Sequence, residues 1–378
     1  MAARGSPHKH PVMTKKRIRV GILFGGKSAE HEISLLSAKN VIDAIDKDKY
    51  EPVLIGIDKS GRWVTNEPSR FLLNSSDPKL ISLNRAQSAP VAMVPQSEGR
   101  LVPLDQAGLE QSVDVVFPIL HGPLGEDGAI QGLLKLANVP FVGAGVLGSA
   151  VGMDKDVMKR LLRDAGLPVP KFHAFHRKHP PRFEAVVKEL GLPVFVKPAN
   201  LGSSVGISKA KDAAGFEKAV QEAFRFDSKI LVEECIQGRE IECAVLGNDE
   251  PEASIPGEII PTHEFYSYAA KYLDENGARL DIPAMLPAET VRQVQEMAIR
   301  TFKALACEGM GRVDFFLTGD GKLYVNEINT IPGFTKISMY PKLWEASGIG
   351  YSQLISRLIE LAIERFQHEQ TLSSSYDS

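Results

Sequence analysis

Between residues 311 and 330 the chain reads GRVDFFLTGDGKLYVNEINT, two apolar runs joined by Asp320-Gly321. Asp-Gly between such runs is the strongest short-range signal for a β-hairpin. With that pair as a two-residue loop, Gly319 faces Lys322, Asp314 faces Glu327 and Arg312 faces Asn329. Side chains alternate along a strand, so these four acidic, basic and amide groups project from one side of the ribbon. Val313, Phe315, Leu317, Tyr324 and Ile328 fall on the other side and are expected in the core. Two carboxylates ~4 Å apart repel by roughly 4 kcal/mol at an effective dielectric of ~20, so the pairing calls for positive charge nearby. Asp314, Glu327 and Asn329 form a hard oxygen set of the kind Mg²⁺ takes, with phosphate and water completing its shell. No histidine or cysteine joins them, which disfavours zinc. Taken alone, the hairpin reads equally well as the solvated polar face of a surface ribbon.

Other stretches add to the first reading. In KPANLGSSVG, Lys197 ends a strand before a turn whose amides and hydroxyls, Ser203 and Ser204 among them, suit a phosphate; a flexible surface turn is the alternative. VEECIQGRE ends a buried strand with Glu233 and Glu234 and reaches Glu240 after a short linker, which suits an adenine and ribose pocket or an ordinary hinge. Lys155, Lys197 and Lys271 come from three separate regions, and each by itself is a surface lysine. Together these features describe a metal–nucleotide site between two domains. Two patterns mislead. GAGVLG at 143–148 matches GxGxxG but lacks the acid about 20 residues on that a dinucleotide fold needs. GSSVG at 202–206 matches GxSxG, but Pro198 and Asn200 interrupt the strand that should enter a nucleophile elbow.

The elements that must position these groups follow from pattern. RIRVGILFGG is a buried strand, SAEHEISLLSAKNVIDAID a helix and YEPVLIGID a second strand, an order that predicts a parallel sheet. VDVVFPIL is another strand, followed by the loop HGPLGEDG and the helix AIQGLLKLAN, and VPFVGAG closes this unit near residue 145. A second region holds the helix MDKDVMKRLLRDAG, the strands LPVFVKP, ISKAK and KILVEECI, and the helix AAGFEKAVQEAFRF. The third opens with the strand EIECAVLG and holds the polar loop THEFYSYAAKYLDENG, a helix over 288–307, the hairpin and a final amphipathic helix over 351–367. Residues 60–112 are turn-rich and carry no functional reading. A net charge of −3 with 24% charged residues gives no support for a nucleic-acid or polybasic membrane binder. No apolar run approaches the ~18–20 residues of a membrane span. The three cysteines show no CxxC spacing and their odd number argues against a disulfide framework, which fits a reducing cytosol. The first residues are basic without the apolar stretch of a secretory signal and, like the polar C-terminal end, are expected to be disordered.

The order Lys155, VKPANLGSSVG, VEECIQGREIE, GRVDFF and NEINTIPGF resembles the ATP-grasp fold, and GGKSAEHEISLLSAKNV, HGPLGEDG and EFYSYAAKY resemble the D-alanine–D-alanine ligase family within it. The resemblance implies an α/β (α+β) chain of three domains: an N-terminal parallel α/β substrate domain (17–145), a central ATP-binding subdomain (146–236) and a C-terminal ATP-grasp subdomain with an antiparallel sheet (237–367), between tails at 1–16 and 368–378. It implies a cytoplasmic, homodimeric enzyme that uses ATP and two Mg²⁺ ions, with Mn²⁺ as a substitute and a monovalent cation as an optional activator. Its substrates would be D-alanine and ATP, with no membrane or nucleic-acid partner. Asp314, Glu327 and Asn329 would hold the metal. Lys155, Lys197, Ser203, Ser204, Glu233, Glu234, Ile236, Glu240, Phe316 and Asn326 would bind ATP. Glu30, Ser203, Tyr272, Arg312 and the Gly333 backbone would be catalytic, and His121, Lys271 and Ser338 would touch substrate. For Glu30, His121 and Ser338 there are plainer readings: an acid at a helix dipole, a satisfied loop histidine and a helix cap. Tyr272 favours D-alanine over D-lactate as acceptor; the alternatives are a D-alanine–D-lactate ligase or another ATP-grasp carboxylate–amine ligase.

Overall fold

The computed structural model describes residues 16–65, 71–74, 80–84, 88–105, 111–202, 205–261 and 278–373. The first region is built on β1 (Ile18–Gly25), α1 (His31–Ala44) and β2 (Tyr50–Ile57). It continues with β3 (Trp63–Thr65), the short hairpin β4 (Leu72–Leu73) and β5 (Ser82–Leu83), β6 (Ala89–Met93), β7 (Arg100–Pro103) and β8 (Gln111–Ser112). Then come β9 (Val115–Ile119) and α2 (Ala129–Leu136). The seven-stranded sheet runs β8-β7-β6-β3-β2-β1-β9. Only β2, β1 and β9 are parallel; β3, β6, β7 and β8 extend the sheet with antiparallel pairs. The expected parallel domain is therefore a mixed one, and the turn-rich 60–112 stretch supplies its outer strands. The near-continuous apolar runs of β1 and β9 fit strands covered on both faces.

The second region opens with α3 (Val146–Met153) and α4 (Lys155–Asp164), the latter capped by Asp154, which accepts from the amides of Asp156 and Val157. Strands β10 (Phe172–His176), β11 (Val194–Pro198), β12 (Ser208–Ala210) and β13 (Lys229–Glu234) make a four-stranded antiparallel sheet in the order β10-β13-β11-β12. Its outer face packs Val194, Val196, Ile230 and Val232 against α5 (Phe183–Leu190) and α6 (Ala213–Phe226). Alternation turns Phe195, Lys197, Leu231 and Glu233 the other way.

The third region is a six-stranded antiparallel sheet of β14 (Gly238–Gly247), β15 (Glu252–Ala253), β16 (Gly257–Pro261), β17 (Ala278–Asp281), β18 (Gly309–Thr318) and β19 (Leu323–Asn329). Helix α7 (Ala288–Ala304) covers one face, where Val294, Ala298 and Phe302 share a core with Val313, Phe315, Leu317, Val325 and Ile328. Two more helices complete the chain, α8 (Met339–Ala346) and α9 (Tyr351–Gln370). The last runs three residues past its expected end at 367. It buries Leu354, Ile355, Leu358, Leu361 and Ala362, an i, i+3, i+4 stripe, in a core shared by β1, α1 and the six-stranded sheet. Arg365 ties it to the first region through the carbonyls of Gly143 (2.6 Å) and Phe141 (2.9 Å). Among the described residues no helix is long and apolar enough to cross a membrane.

The GxGxxG run has a packing role. A Cβ on Gly148, inside α3, would lie 2.5 Å from the Ala306 carbonyl oxygen and 3.1 Å from the Cys307 Cα. Alanine outranks glycine in an open helix by ~1 kcal/mol. Gly148→Ala is therefore expected to lower the melting temperature, opposite in sign to its helix propensity, as thermal unfolding would read.

Candidate active site

The polar hairpin face forms by two departures from an ideal hairpin that cancel. The turn holds three residues, Gly319, Asp320 and Gly321, with the Thr318 amide donating to the Lys322 carbonyl at 3.0 Å and Gly321 at φ 82°. That shifts the pairing to Leu317–Leu323, Phe316–Tyr324 and Phe315–Val325. A bulge between Asp314 and Phe315 then absorbs Asn326 and restores Asp314–Glu327 and Arg312–Asn329. A bulge re-aims a side chain, and this one lets both Asn326 and Glu327 serve the site. Tyr324, expected in the core, instead pairs with Phe316 on the polar face, and Leu323 and Val325 fill the core in its place.

Strand β14 continues this face. Glu242 pairs with Asp314 across β18, so Glu242, Asp314 and Glu327 stand abreast on three adjacent strands. Glu240, Phe316 and Tyr324 form the row above, and Ala244, Arg312 and Asn329 the row below. The positive charge that the acids require comes from inside the chain. Arg312 grips Asp314 with both ends of its fork at 2.8 Å and lies 2.9 Å from Glu242. Asn329 donates to the same Asp314 carboxylate at 3.0 Å. Lys155, the first residue of α4, reaches Glu327 at 3.4 Å and donates to the Leu201 carbonyl at 2.6 Å.

Facing these rows is the inner surface of the four-stranded sheet. Glu233 is buried there between Lys197 (3.0 Å) and Lys159 (3.3 Å). Lys159 also donates to the Asn326 carbonyl at 3.0 Å, and Lys197 reaches the Asn326 side chain at 3.5 Å, so the bulge is where the two sheets meet. Burial alone would raise the Glu233 carboxyl, but the two lysines outweigh it and hold it below the usual carboxylate range. Burial pushes the Lys159 ammonium down to about 8 against the pull of Glu233. Glu234 accepts from the Lys171 amide at 2.7 Å, fixing the strand end that precedes Ile236.

The pocket continues to the C-terminal ends of β1 and β9, the place where parallel sheets offer ligand sites. Glu30 follows β1 and His121 follows β9, and both line a cavity with Glu126, Arg312, Glu327 and Gly333. Glu30 is the residue before α1 rather than within its first turn, and its side chain makes no capping bond to the helix. Burial holds His121 below the ordinary imidazole range in spite of Glu30. Its Nε2 is buried with no hydrogen-bond partner among the described residues. Burial and the neighbouring Glu30 push Glu126 up to about 8, while the Gly122 amide donates to it at 2.7 Å. Ser338 does not cap α8 with its side chain; it accepts from the Thr335 amide at 2.9 Å. A Cβ on Gly333 would lie 2.7 Å from Ser338 Oγ, so any side chain here would have to displace that hydroxyl. Of the sequence-derived candidates, Glu30, His121, Arg312, Glu327, Asn329, Gly333 and Ser338 line this one cavity. Asp314, Lys155, Lys197, Glu233 and Asn326 are linked to it or to one another by the contacts above, and Glu240 and Phe316 form the next row of the sheet. Glu234 and Ile236 lie at and beyond the end of β13 and make none of these linking contacts, and Ser203, Ser204, Lys271 and Tyr272 lie outside the described residues.

Comparison with known proteins bears on this geometry. The family model "D-ala D-ala ligase N-terminus" matches residues 19–144 and "D-ala D-ala ligase C-terminus" matches 161–360. A D-alanine–D-alanine ligase of Oceanobacillus iheyensis is 58% identical over 94% of this chain and 98% of its own length. The chain belongs to the D-alanine–D-alanine ligase family. D-alanine–D-alanine ligase A of Escherichia coli K12 is 53% identical over 95% of this chain and all of its own length. Among solved structures, the D-alanine–D-alanine ligase of Coxiella burnetii superposes with a TM-score of 0.83 at 44% identity, covering 94% of this chain and 97% of that one. A D-Ala:D-Ser ligase of Enterococcus faecalis gives 0.79 at 38% identity, over 92% of this chain and 100% of its own.

As a D-alanine–D-alanine ligase family member, the chain places three further residues in the site that sequence reasoning passed over: Lys159, Glu126 and Glu242. Lys159 lies four residues after Lys155, a spacing that repeats a helix face, but an interior lysine has no mark in sequence. Glu126 stood inside the quoted HGPLGEDG loop, and Glu242 alternates with Glu240 along one strand. Two expectations follow from their burial. Lys159→Met leaves Glu233 buried with one lysine and should cost about 3 kcal/mol in denaturant unfolding. Glu126 holds a proton in the native state that the unfolded chain has released, in the window between 4.5 and about 8. Stability is therefore lost as pH rises through that window. Glu126→Gln removes the effect, so its melting temperature should gain on the parent's steadily from pH 5 to 8.

Proposed function

We propose that the chain joins two D-alanine molecules into D-alanyl-D-alanine with hydrolysis of ATP to ADP and phosphate, supplying the dipeptide for peptidoglycan. The observation that carries this reading is the row Asp314–Glu327 with Arg312 and Asn329 beside it, opposite buried Lys197 and continuous with the Glu30–His121 pocket. Glu233, kept ionised, and Glu240 suit the adenine amino group and the ribose, with the backbone of Glu234 and Ile236 and the ring of Phe316 alongside. Lys155 and Lys197, with Ser203, Ser204 and Lys271, serve the phosphates, and Asn326 holds Lys197 toward them.

Asp314, Glu327 and Asn329 fit Mg²⁺ or Mn²⁺. They are two carboxylates and an amide, and among the described residues no group of three or more His, Cys, Asp or Glu is placed to hold a metal instead. Bound there, the ions would neutralise charge on the transferred phosphoryl group. The chain's own groups do the rest. Glu30, with Ser203 and Tyr272, takes the ammonium of the first D-alanine and aims its carboxylate at the γ-phosphorus. A carboxylate oxygen bonds to phosphorus, the bond to ADP breaks, and a D-alanyl phosphate results. Arg312 answers the charge spread over the phosphoryl oxygens. The amine of the second D-alanine, held by Ser338 through its carboxylate, attacks the acyl carbon. The Gly333 amide donates to the oxyanion, and its collapse expels phosphate and leaves the peptide bond. His121 lies beside the first substrate. The reading includes a cytoplasmic, homodimeric enzyme, both drawn from the family resemblance.

The test is phosphate release from Mg-ATP with D-alanine, L-alanine, or D-alanine plus D-serine, with products identified by mass. D-alanine alone should give the dipeptide and L-alanine nothing; release that requires D-serine would reassign the acceptor. Arg312→Met should lower kcat by about 10²–10³-fold, the scale of losing one charge-stabilising group, and a smaller loss would remove the arginine from the phosphoryl step.

A further inference from the structure

Arg312 and a divalent cation compete for one carboxylate. In this structure both oxygens of Asp314 are engaged by the guanidinium, Oδ1 by Nε and Oδ2 by Nη2, each at 2.8 Å. Coordination of a cation through Asp314 requires the fork to let go. An arginine released from that fork without another acid to hold it would swing on a long, flexible side chain, and the transferred phosphoryl group would meet a disordered charge. The sheet supplies a second anchor. Glu242 stands directly across from Asp314 on β14, on the side away from Glu327, and is 5% exposed. Its Oε2 lies 2.9 Å from Arg312 Nε, an ion-pair distance, while the Nε–H bond is directed at Asp314. The guanidinium thus touches two acids that pair with each other in the next row of the sheet, and only one of them belongs to the proposed metal set.

Resting on the ligase reading above, we infer that Glu242 is a positioning residue. It retains the Arg312 guanidinium over the reacting groups when Asp314 turns to the cation. Glu242 is not assigned as a metal ligand: Arg312 stands against it, and β18 separates it from Glu327. Its role is an exchange of partners, in which the arginine rotates from the Asp314 fork to a Glu242 fork and the cation takes the freed oxygens. Without Glu242 the guanidinium loses the acid it would turn to, and a cation must displace it from Asp314 outright.

The experiment is equilibrium binding of Mn²⁺-ADP, and of ADP with EDTA, to the full chain by calorimetry. Glu242→Gln should weaken Mn²⁺-ADP about tenfold, the low end for losing an outer partner of a metal ligand, with ADP in EDTA unchanged. Glu242→Asp keeps the charge on a shorter arm and should recover part of the loss. In an Arg312→Met background Glu242→Gln should change nothing, because the competitor is gone. Unaltered Mn²⁺-ADP affinity in Glu242→Gln would overturn the inference. So would an equal loss in the Arg312→Met background, which would mean that Glu242 acts through its own charge. A parallel loss of ADP in EDTA would also overturn it, since that marks a structural effect. Failure of the parent chain to bind ADP would overturn the ligase reading and this inference together, whereas the other failures leave that reading standing.

Discussion

Three carboxylates fixed abreast on adjacent strands, Glu242, Asp314 and Glu327, are the constraint around which the rest of the site is arranged. A β-ladder does not let like charges drift apart, and like charges directly opposite destabilise a sheet. Cations therefore come from elsewhere in the chain: Arg312 from the same strand and Lys155 from the start of α4. Across the cleft the pattern repeats with signs reversed in number, one carboxylate, Glu233, between Lys159 and Lys197. Buried ion pairs of this kind are weak contributors to stability, since well-packed apolar groups would serve as well. In the proposed reaction their value lies in the exchange they allow: an acid-rich wall and a lysine-rich wall can trade partners with a ligand that carries both phosphate and metal.

The walls are held at the right height by backbone. Helix α1 fixes both ends of the pocket lined by Glu30 and Gly333. Glu30 precedes it, Ser34 joins it to the ends of β1 and β9, and Ser37 and Asn40 hold the amide and carbonyl of Phe334 beside Gly333. The group proposed to bind the first ammonium and the amide proposed to face the oxyanion thus hang from one rigid rod. Precision of this sort is what positioning catalysis needs.

Much of this was legible in sequence, for physical reasons that also set the limits. Continuous apolar runs declared the buried parallel strands β1 and β9, and Asp-Gly declared the hairpin. The pairing of Asp314 with Glu327 came out as read, although by another route: a longer turn cancelled by a bulge, two errors invisible to a pattern of period 2. Tyr324 was misplaced for the same reason. Residues 60–112 read as turns because their strands are two to five residues long and lie at the open side of the sheet. Lys159 escaped because a charged residue in an interior is explained only by partners distant in sequence, here Glu233 and the Asn326 carbonyl. Glu242 looked like one more alternating strand residue until its register against Asp314 was known.

The shared core of β1, α1 and α9 bears on how the molecule is made. Val20, Ile22 and Phe24 near the start of the chain are covered by Leu354, Ile355 and Leu358 near its end, with Arg365 riveting the last helix to the carbonyls at 141 and 143. A chain emerging from the ribosome presents the first sheet long before its covering helix exists, while the central sheet, with its core drawn from residues 175–232, has everything it needs as soon as it appears. Domains usually mature in the order of synthesis; here the first-made is left waiting for the last, and its bare apolar face is where chaperones would be called upon.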